Sequence, residues 1–246
     1  MNLWYINIWL NPETGYDTDY RYAFLLRTRF ISNYLSKQIR KRRFKTDGTF
    51  HMISVDPTPH EPKECRIVPD RSLNAEVHFD KDRYEKAKDT GDFEYYLELF
   101  ETGFSKASKW KDVPLDSLLS LIGDFREKGY KNEWRHKKKR FKEQDIEVIL
   151  DCRFTTNDFE LIATINQIST KKELCSGAVI TTDPDEVCFD KLFKDILIDK
   201  ANIVITDAFN CPSVFIDLKD ALNKKLSFRL LGLEEKVKHL TSSQLS

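Results

Sequence analysis

Hydrophobic residues recur at every second position near both ends of this 246-residue sequence, but every three to four positions between Asp80 and Gly129. That change of period limits the folds open to the chain, because strands alternate faces and helices do not. An order of strands, then helices, then strands favours an α+β architecture, a mixed and largely antiparallel sheet with a central helical block, over a doubly wound α/β fold. The expectation is one unit spanning 1–246, with any internal boundary near 80 or at 108–114, and a loose tail at 241–246.

At the start, Trp4, Ile6, Ile8 and Leu10 alternate with Leu3, Tyr5, Asn7 and Trp9. Aromatics on both faces predict an internal strand. Asp17 or Thr18 then caps a long amphipathic helix through Tyr20, Phe24, Leu25, Phe30, Ile31, Tyr34, Leu35 and Ile39. Strands are expected at Thr49–Val55, Cys65–Val68 and Leu73–Phe79, the last half-solvated, with a proline-rich surface loop at Asp56–Pro62. Helices follow, interrupted at Thr90-Gly91-Asp92, restarted at Pro114 and ended by Gly129. Beyond them, strands are expected at Trp134–Lys142, Ile146–Phe154 and Phe159–Ile168, with a second pair at Phe193–Asp199 and Ile203–Thr206. Asp183-Pro184-Asp185 is expected to begin a short helix, and Phe215–Leu222 fits either strand or helix.

Charge gives no global direction, since 40 basic residues balance 40 acidic ones, so any charge-based function must be local. The five cysteines are scattered without a C-x-x-C pair, the pattern of free, buried thiols in a reducing cytoplasm. Neither a signal peptide nor a membrane span is expected. Gly-x-Ser-x-Gly, Walker and G-x-G-x-x-G motifs are absent from the sequence, so no enzymatic activity, cofactor or catalytic residue is expected.

The local feature that stands out is Tyr130–Lys142, where seven cations surround Glu133. Its candidate partner-binding residues are Tyr130, Trp134, Arg135, Lys137, Lys139 and Arg140. Strict alternation would place Trp134, His136, Lys138 and Arg140 on one face and Arg135, Lys137, Lys139 and Phe141 on the other. A solvated edge strand comes first among its readings, contact with an acidic protein second and nucleic acid third. A second basic cluster, Lys37–Lys45, complements the C-terminal end of the helix dipole.

Other clusters favour structural roles. His51, Asp56, His60 and Glu61 have the chemistry of a metal-dependent hydrolase, but lack ligand spacing, so loop polarity is the stronger reading and no metal site is expected. Asp183, Asp185, Glu186, Asp217 and Asp220 suit helix starts, and Cys188 and Cys211 are read as buried thiols.

Phe100-Glu101-Thr102-Gly103-Phe104 and Gly129-Tyr130-Lys131-Asn132-Glu133-Trp134 carry a resemblance, over Tyr95–Phe154, to immunity proteins encoded beside polymorphic or contact-dependent bacterial toxins. The resemblance implies a non-enzymatic inhibitor that plugs or covers the active site of a cognate toxin. The expected partner is therefore another protein, with nucleic acid the alternative and no membrane.

Overall fold

The alternation at the start of the chain forms β1 at Tyr5–Ile8, shorter than its apolar run. After a 3-10 turn at Pro12–Thr14, the Asp17 carboxylate accepts the Tyr20 N–H and starts α1, Thr18–Arg42. The computed structural model describes residues 1–232; the tail expected to be loose lies outside them. Tertiary contacts divide the chain into two compact units, Met1–Asn132 and Glu133–Ser246, so the 108–114 segment lies within the first. Helix and strand occupy 32% and 34% of the described residues, so neither dominates, and the sheets are mostly antiparallel, as an α+β fold requires.

In the first unit β1 joins β2 (Met52–Thr58), β3 (Arg66–Ile67) and β4 (Ser72–His78) in the order β1-β2-β4-β3. β2 runs parallel to both β1 and β4, and β3 antiparallel to β4. Three expectations are corrected here. β1 is an edge strand, and Tyr5 within it and Trp4 and Trp9 on either side are 46%, 39% and 36% exposed. β2 runs on through Asp56-Pro57-Thr58, which had the composition of a loop. The carbonyls of Val55 in β2 and of His51 just before it accept from the β1 segment, while that of Thr58 accepts from Phe79 just past β4, so the missing N–H of Pro57 faces the side where β1 has ended. β4, finally, is not half-solvated, because Ser72, Asn74 and Glu76 are as buried as Leu73, Ala75 and Val77.

Helix α1 seals the open edge of β1. Ile6 N–H donates to Ser36 Oγ at 2.9 Å, the same hydroxyl donates to Ile6 C=O at 3.1 Å, and Arg40 Nε donates to Trp4 C=O at 2.9 Å. Unpaired strand groups invite another chain, and covering them with a helix removes the invitation.

Helices α2 (Lys81–Thr90), α3 (Glu94–Ser108) and α4 (Leu115–Glu127) follow as expected. α3 lies against β2 and β4, and α4 against α1 and α3. Phe24, Phe79, Tyr84 and Tyr96 form a cluster of tilted and edge-on rings, and each fully buried aromatic contributes on the order of 1.5–3 kcal/mol.

The second unit begins with β5, whose first residue belongs to the first unit. β5 (Asn132–Phe141), β6 (Ile146–Phe154), β7 (Phe159–Gln167) and β8 (Glu173–Thr182) lie side by side in sequence order. β8 was not expected; Cys175, Ser176, Gly177 and Ala178 carry little strand propensity. Helix α5 (Glu186–Phe189) leads to β9 (Asp195–Asp199), β10 (Asn202–Thr206) and β11 (Pro212–Asp217). The ambiguous stretch resolves into both forms, because Asp217 ends β11 and caps α6 (Leu218–Leu222) before β12 (Phe228–Leu230). β9 to β12 form the second antiparallel sheet. Phe159 stacks between Phe189 and Phe193, at 3.6 and 5.5 Å.

Gly103 of α3 sits against the centre of the first sheet, where an added Cβ would lie 2.5 Å from Val55 Cγ2. Glycine to alanine within a helix ordinarily stabilises by roughly 1 kcal/mol. Here the clash with a buried, β-branched neighbour outweighs it, so Gly103→Ala destabilises by about 1–3 kcal/mol. Urea denaturation checks this, with partial recovery expected in Gly103→Ala/Val55→Ala; a more stable single variant would refute it.

Candidate functional site

The basic run forms the edge strand of its sheet, and its central cations, Arg135 and Lys137 to Arg140, are already engaged. Arg135 pairs with Asp151 at 3.0 Å, Lys138 and Arg140 share Glu147 at 2.9 and 2.6 Å, and Lys137 and Lys139 share Asp195 at 3.2 and 3.4 Å. Lys139 also donates to Ile196 C=O at 2.7 Å. The Arg140 and Lys138 side chains hold the Glu147 carboxyl below its usual range, and the Ile196 N–H, with Lys137 and Lys139, does the same for Asp195.

These contacts correct the strict alternation. Arg135, Lys138 and Arg140 face β6, whereas His136, Lys137 and Lys139 all face Phe193–Ile196, so the strand changes phase between His136 and Lys137. Trp134 is half-buried with its ring 6.0 Å from Phe159.

Tyr130 belongs to the first unit and takes φ 59° after Gly129 at φ 65°, completing the turn that ends α4. Its hydroxyl donates to Glu94, which Arg126 also grips together with Glu101. Asn132 donates to Phe30 C=O and Asn33 Oδ1. Both motifs of the resemblance thus have structural tasks, since Phe100 and Phe104 are fully buried around Gly103.

The remaining candidates divide similarly. Arg40, Lys41 and Arg42 occupy the last turn of α1, and Arg42 donates to Ser117 C=O. Asp185 and Asp217 cap helices. Cys152 and Cys175 are buried and Cys65 and Cys188 half-buried, but Cys211 is exposed, against expectation, next to Pro212 at the start of β11. Burial pushes the Cys65, Cys175 and Cys188 thiols up, which suppresses thiolate chemistry.

Of the histidine and carboxylate group, Asp56, His60 and Glu61 line one cavity of about 110 Å³, whereas His51 lies apart against Tyr5. The cavity opens where parallel strands end, a common place for ligands. Asn11, Glu13 and Thr14 reach it from the turn after β1, and Asp56 and Thr58 from β2; Lys63 and Glu76 complete the wall. Among the described residues no three His, Cys, Asp or Glu side chains converge as a metal would require.

Asp56 is 0% exposed and takes hydrogen bonds from Ser54 Oγ at 2.6 Å and Asn74 Nδ2 at 2.7 Å, with no cation among the described residues in contact. Glu76, its partner in register, instead receives the Lys63 N–H at 2.9 Å and Arg66 Nη1 at 2.6 Å. Burial raises Asp56 to about 6, although Ser54, Arg66 and Asn74 act in the opposite sense. Burial also works on Glu76, but its Lys63 and Arg66 partners outweigh it and hold the carboxyl below its usual range. The sequence concealed this pair because Asp56 looked like loop and Glu76 like a solvent-facing strand residue. The signal was the matching phase of Ser54-Asp56-Thr58 and Ser72-Asn74-Glu76 beside two apolar triplets.

No family model, no curated protein and no solved structure matches the chain. Among the described residues no helix is long and apolar enough to cross a membrane.

A folded-state value of about 6 against 3.8 means that the folded protein binds the Asp56 proton more tightly than the unfolded chain. Its contribution is therefore fully present at low pH and is lost as pH rises from about 4 through about 6, by up to about 3 kcal/mol. Asp56→Asn keeps the shape and removes the charge, so it should be more stable than the parent above that window and match it more closely below. Urea titrations across pH read the difference between the two, and a difference independent of pH would contradict the assignment.

Proposed function

We propose that the chain is a non-enzymatic, protein-binding inhibitor, an immunity protein that neutralises a cognate bacterial toxin. The observation that supports this is the row of aromatics Trp4, Tyr5 and Trp9, 39%, 46% and 36% exposed, along an edge strand whose outward backbone groups at Trp4 and Ile6 are occupied by α1. With strand addition blocked there, the surface offers side chains, and Trp and Tyr are the residues that most often anchor protein interfaces. Arg40 stacks on Tyr5, 4.7 Å from the ring centre, and limits its freedom before any partner arrives.

Nucleic acid is the weaker alternative, because the central cations of β5 are paired with Glu147, Asp151 and Asp195. Counterion release needs cations free to meet phosphates.

Co-expression with the product of the neighbouring gene should rescue growth and yield a complex on co-purification. Trp4→Ala and Tyr5→Ala, with unchanged circular dichroism, should each weaken that complex about tenfold or more. Failure of both rescue and co-purification would sink the proposal.

A further inference from the structure

Where α1 ends and β1 and β2 begin, hydrogen bonds tie together segments distant in sequence. Thr46 N–H donates to Met1 C=O at 2.9 Å, Leu3 N–H to Phe44 C=O at 2.9 Å and Trp4 N–H to His51 C=O at 2.8 Å, while Lys111 Nζ meets Asp47 at 2.7 Å. Between Arg40 and His51 the chain carries Arg40, Lys41, Arg42, Arg43 and Lys45 against Asp47 alone, and Asp47 is the carboxylate held by Lys111. These cations are the reverse of those in β5. Lys41 donates to Gln38 Oε1 and Arg42 to Ser117 C=O, both neutral acceptors, and among the described residues the exposed Arg43 and Lys45 side chains have no partner. The α1 dipole accounts for the cations of its last turn, but it fades beyond the cap, Arg43, and does not explain Lys45. Three exposed aromatics share this end of the first unit, Trp4, Tyr5 and Trp110, the last 46% exposed. Each has a cation beside it: Arg40 Nε donates to Trp4 C=O, the Arg40 guanidinium covers Tyr5, and Lys111 Nζ lies 5.3 Å from the centre of the Trp110 ring.

We infer that the protein partner docks on this end of the first unit with an acidic surface, Trp4, Tyr5 and Trp110 serving as apolar anchors and Arg43 and Lys45 meeting its carboxylates. The inference rests on the protein-binding reading above and adds where the partner sits and what charge it carries. Trp, Tyr and Arg are the residue types enriched at interface hot spots, and here they stand together. Like charges gathered without counter-charges repel one another, and an acidic surface relieves that repulsion as it arrives. Cations at the rim of an interface act chiefly on the rate of encounter and on the choice of partner. A protein is favoured over a nucleic acid because bases stack on open ring faces. One face of Tyr5 and one of Trp110 are already covered by Arg40 and Lys111, whereas protein side chains pack against ring edges equally well.

The first test titrates the full chain with octaglutamate at low salt and follows the tryptophan indole N–H signals by ¹H–¹⁵N NMR. With only 4 tryptophans in the chain, each can be read separately. Saturable shifts are expected at Trp4 and Trp110, with Trp134 of the second unit unmoved, and Arg43→Glu/Lys45→Glu should abolish them. No saturable shift in the parent, a shift as large at Trp134, or tighter binding of dodecathymidylate than of octaglutamate would overturn the inference. The second test uses the purified partner. Arg43→Glu/Lys45→Glu, with unchanged circular dichroism, should weaken the complex about tenfold, mainly through slower association, and flatten its dependence on salt. Lys171→Glu/Lys172→Glu makes the same change of charge at exposed positions between β7 and β8, and should leave the affinity within about twofold. An equal loss from both reversals overturns the inference. So does no loss from the first, and if Trp4→Ala still weakens the complex, the protein-binding reading stands without it. Octaglutamate binding at Trp4 and Trp110 in a chain that captures no partner has the reverse meaning, upholding the surface for acidic ligands and removing the reading it was joined to.

Discussion

The first unit depends on β2 being paired in parallel on both sides, which fixes what each of its faces must do. A two-sided parallel pairing buries a strand along its whole length, so Ile53 and Val55 require an apolar layer, and α3 supplies it through Gly103. The opposite face is also buried but carries Ser54, Asp56 and Thr58, and these must find hydrogen bonds within the sheet. Ser54 and Asn74 satisfy Asp56, while Lys63 and Arg66 satisfy Glu76. The parallel direction also dictates α1, because β1 and β2 need a long crossover between them. That crossover returns along β1 and closes its edge through Ser36 and Arg40.

Elements whose signal is local were legible in the sequence. The period of α1 from Phe24 to Ile39, the break at Gly91, Pro114 before α4 and the Thr155–Asp158 hairpin all follow from side-chain spacing and turn chemistry. What the sequence hid depends on neighbours distant along the chain. Pro57 can occupy a central strand only because β1 stops short of it, and nothing near Pro57 records where β1 stops. Asn74 and Glu76 look solvent-facing until parallel pairing sets them beside Ser54 and Asp56. The exposed Trp4, Tyr5 and Trp9 suggest an internal strand until α1, and not a second strand, is found along the free edge.

Charge illustrates the same dependence on tertiary context. The conspicuous cations of β5 form the most visible pattern in the sequence, yet Glu147, Asp151 and Asp195 arrive from β6 and β9 to pair with them. Exposed pairs of this kind contribute little stability, on the order of 0.2–1 kcal/mol each. Their effect is to lower the charge an edge strand shows to solvent while keeping long polar side chains in the way of another strand. Asp56 is the opposite case, a single carboxyl with no surrounding pattern, but fully buried and, among the described residues, without a cation in contact.

A buried carboxyl could be replaced by a neutral group of the same shape with a gain in stability, so its position matters more than its contribution to folding. Asp56 sits where parallel strands end, on the face that also carries Tyr5 and Trp9. The exposed aromatics keep apolar area in water, whereas the buried carboxyl carries a desolvation cost that the Ser54 and Asn74 hydrogen bonds only partly offset. Strand addition is closed off at this edge, since the hydroxyl of Ser36 already occupies the backbone groups of Ile6 that an incoming strand would use.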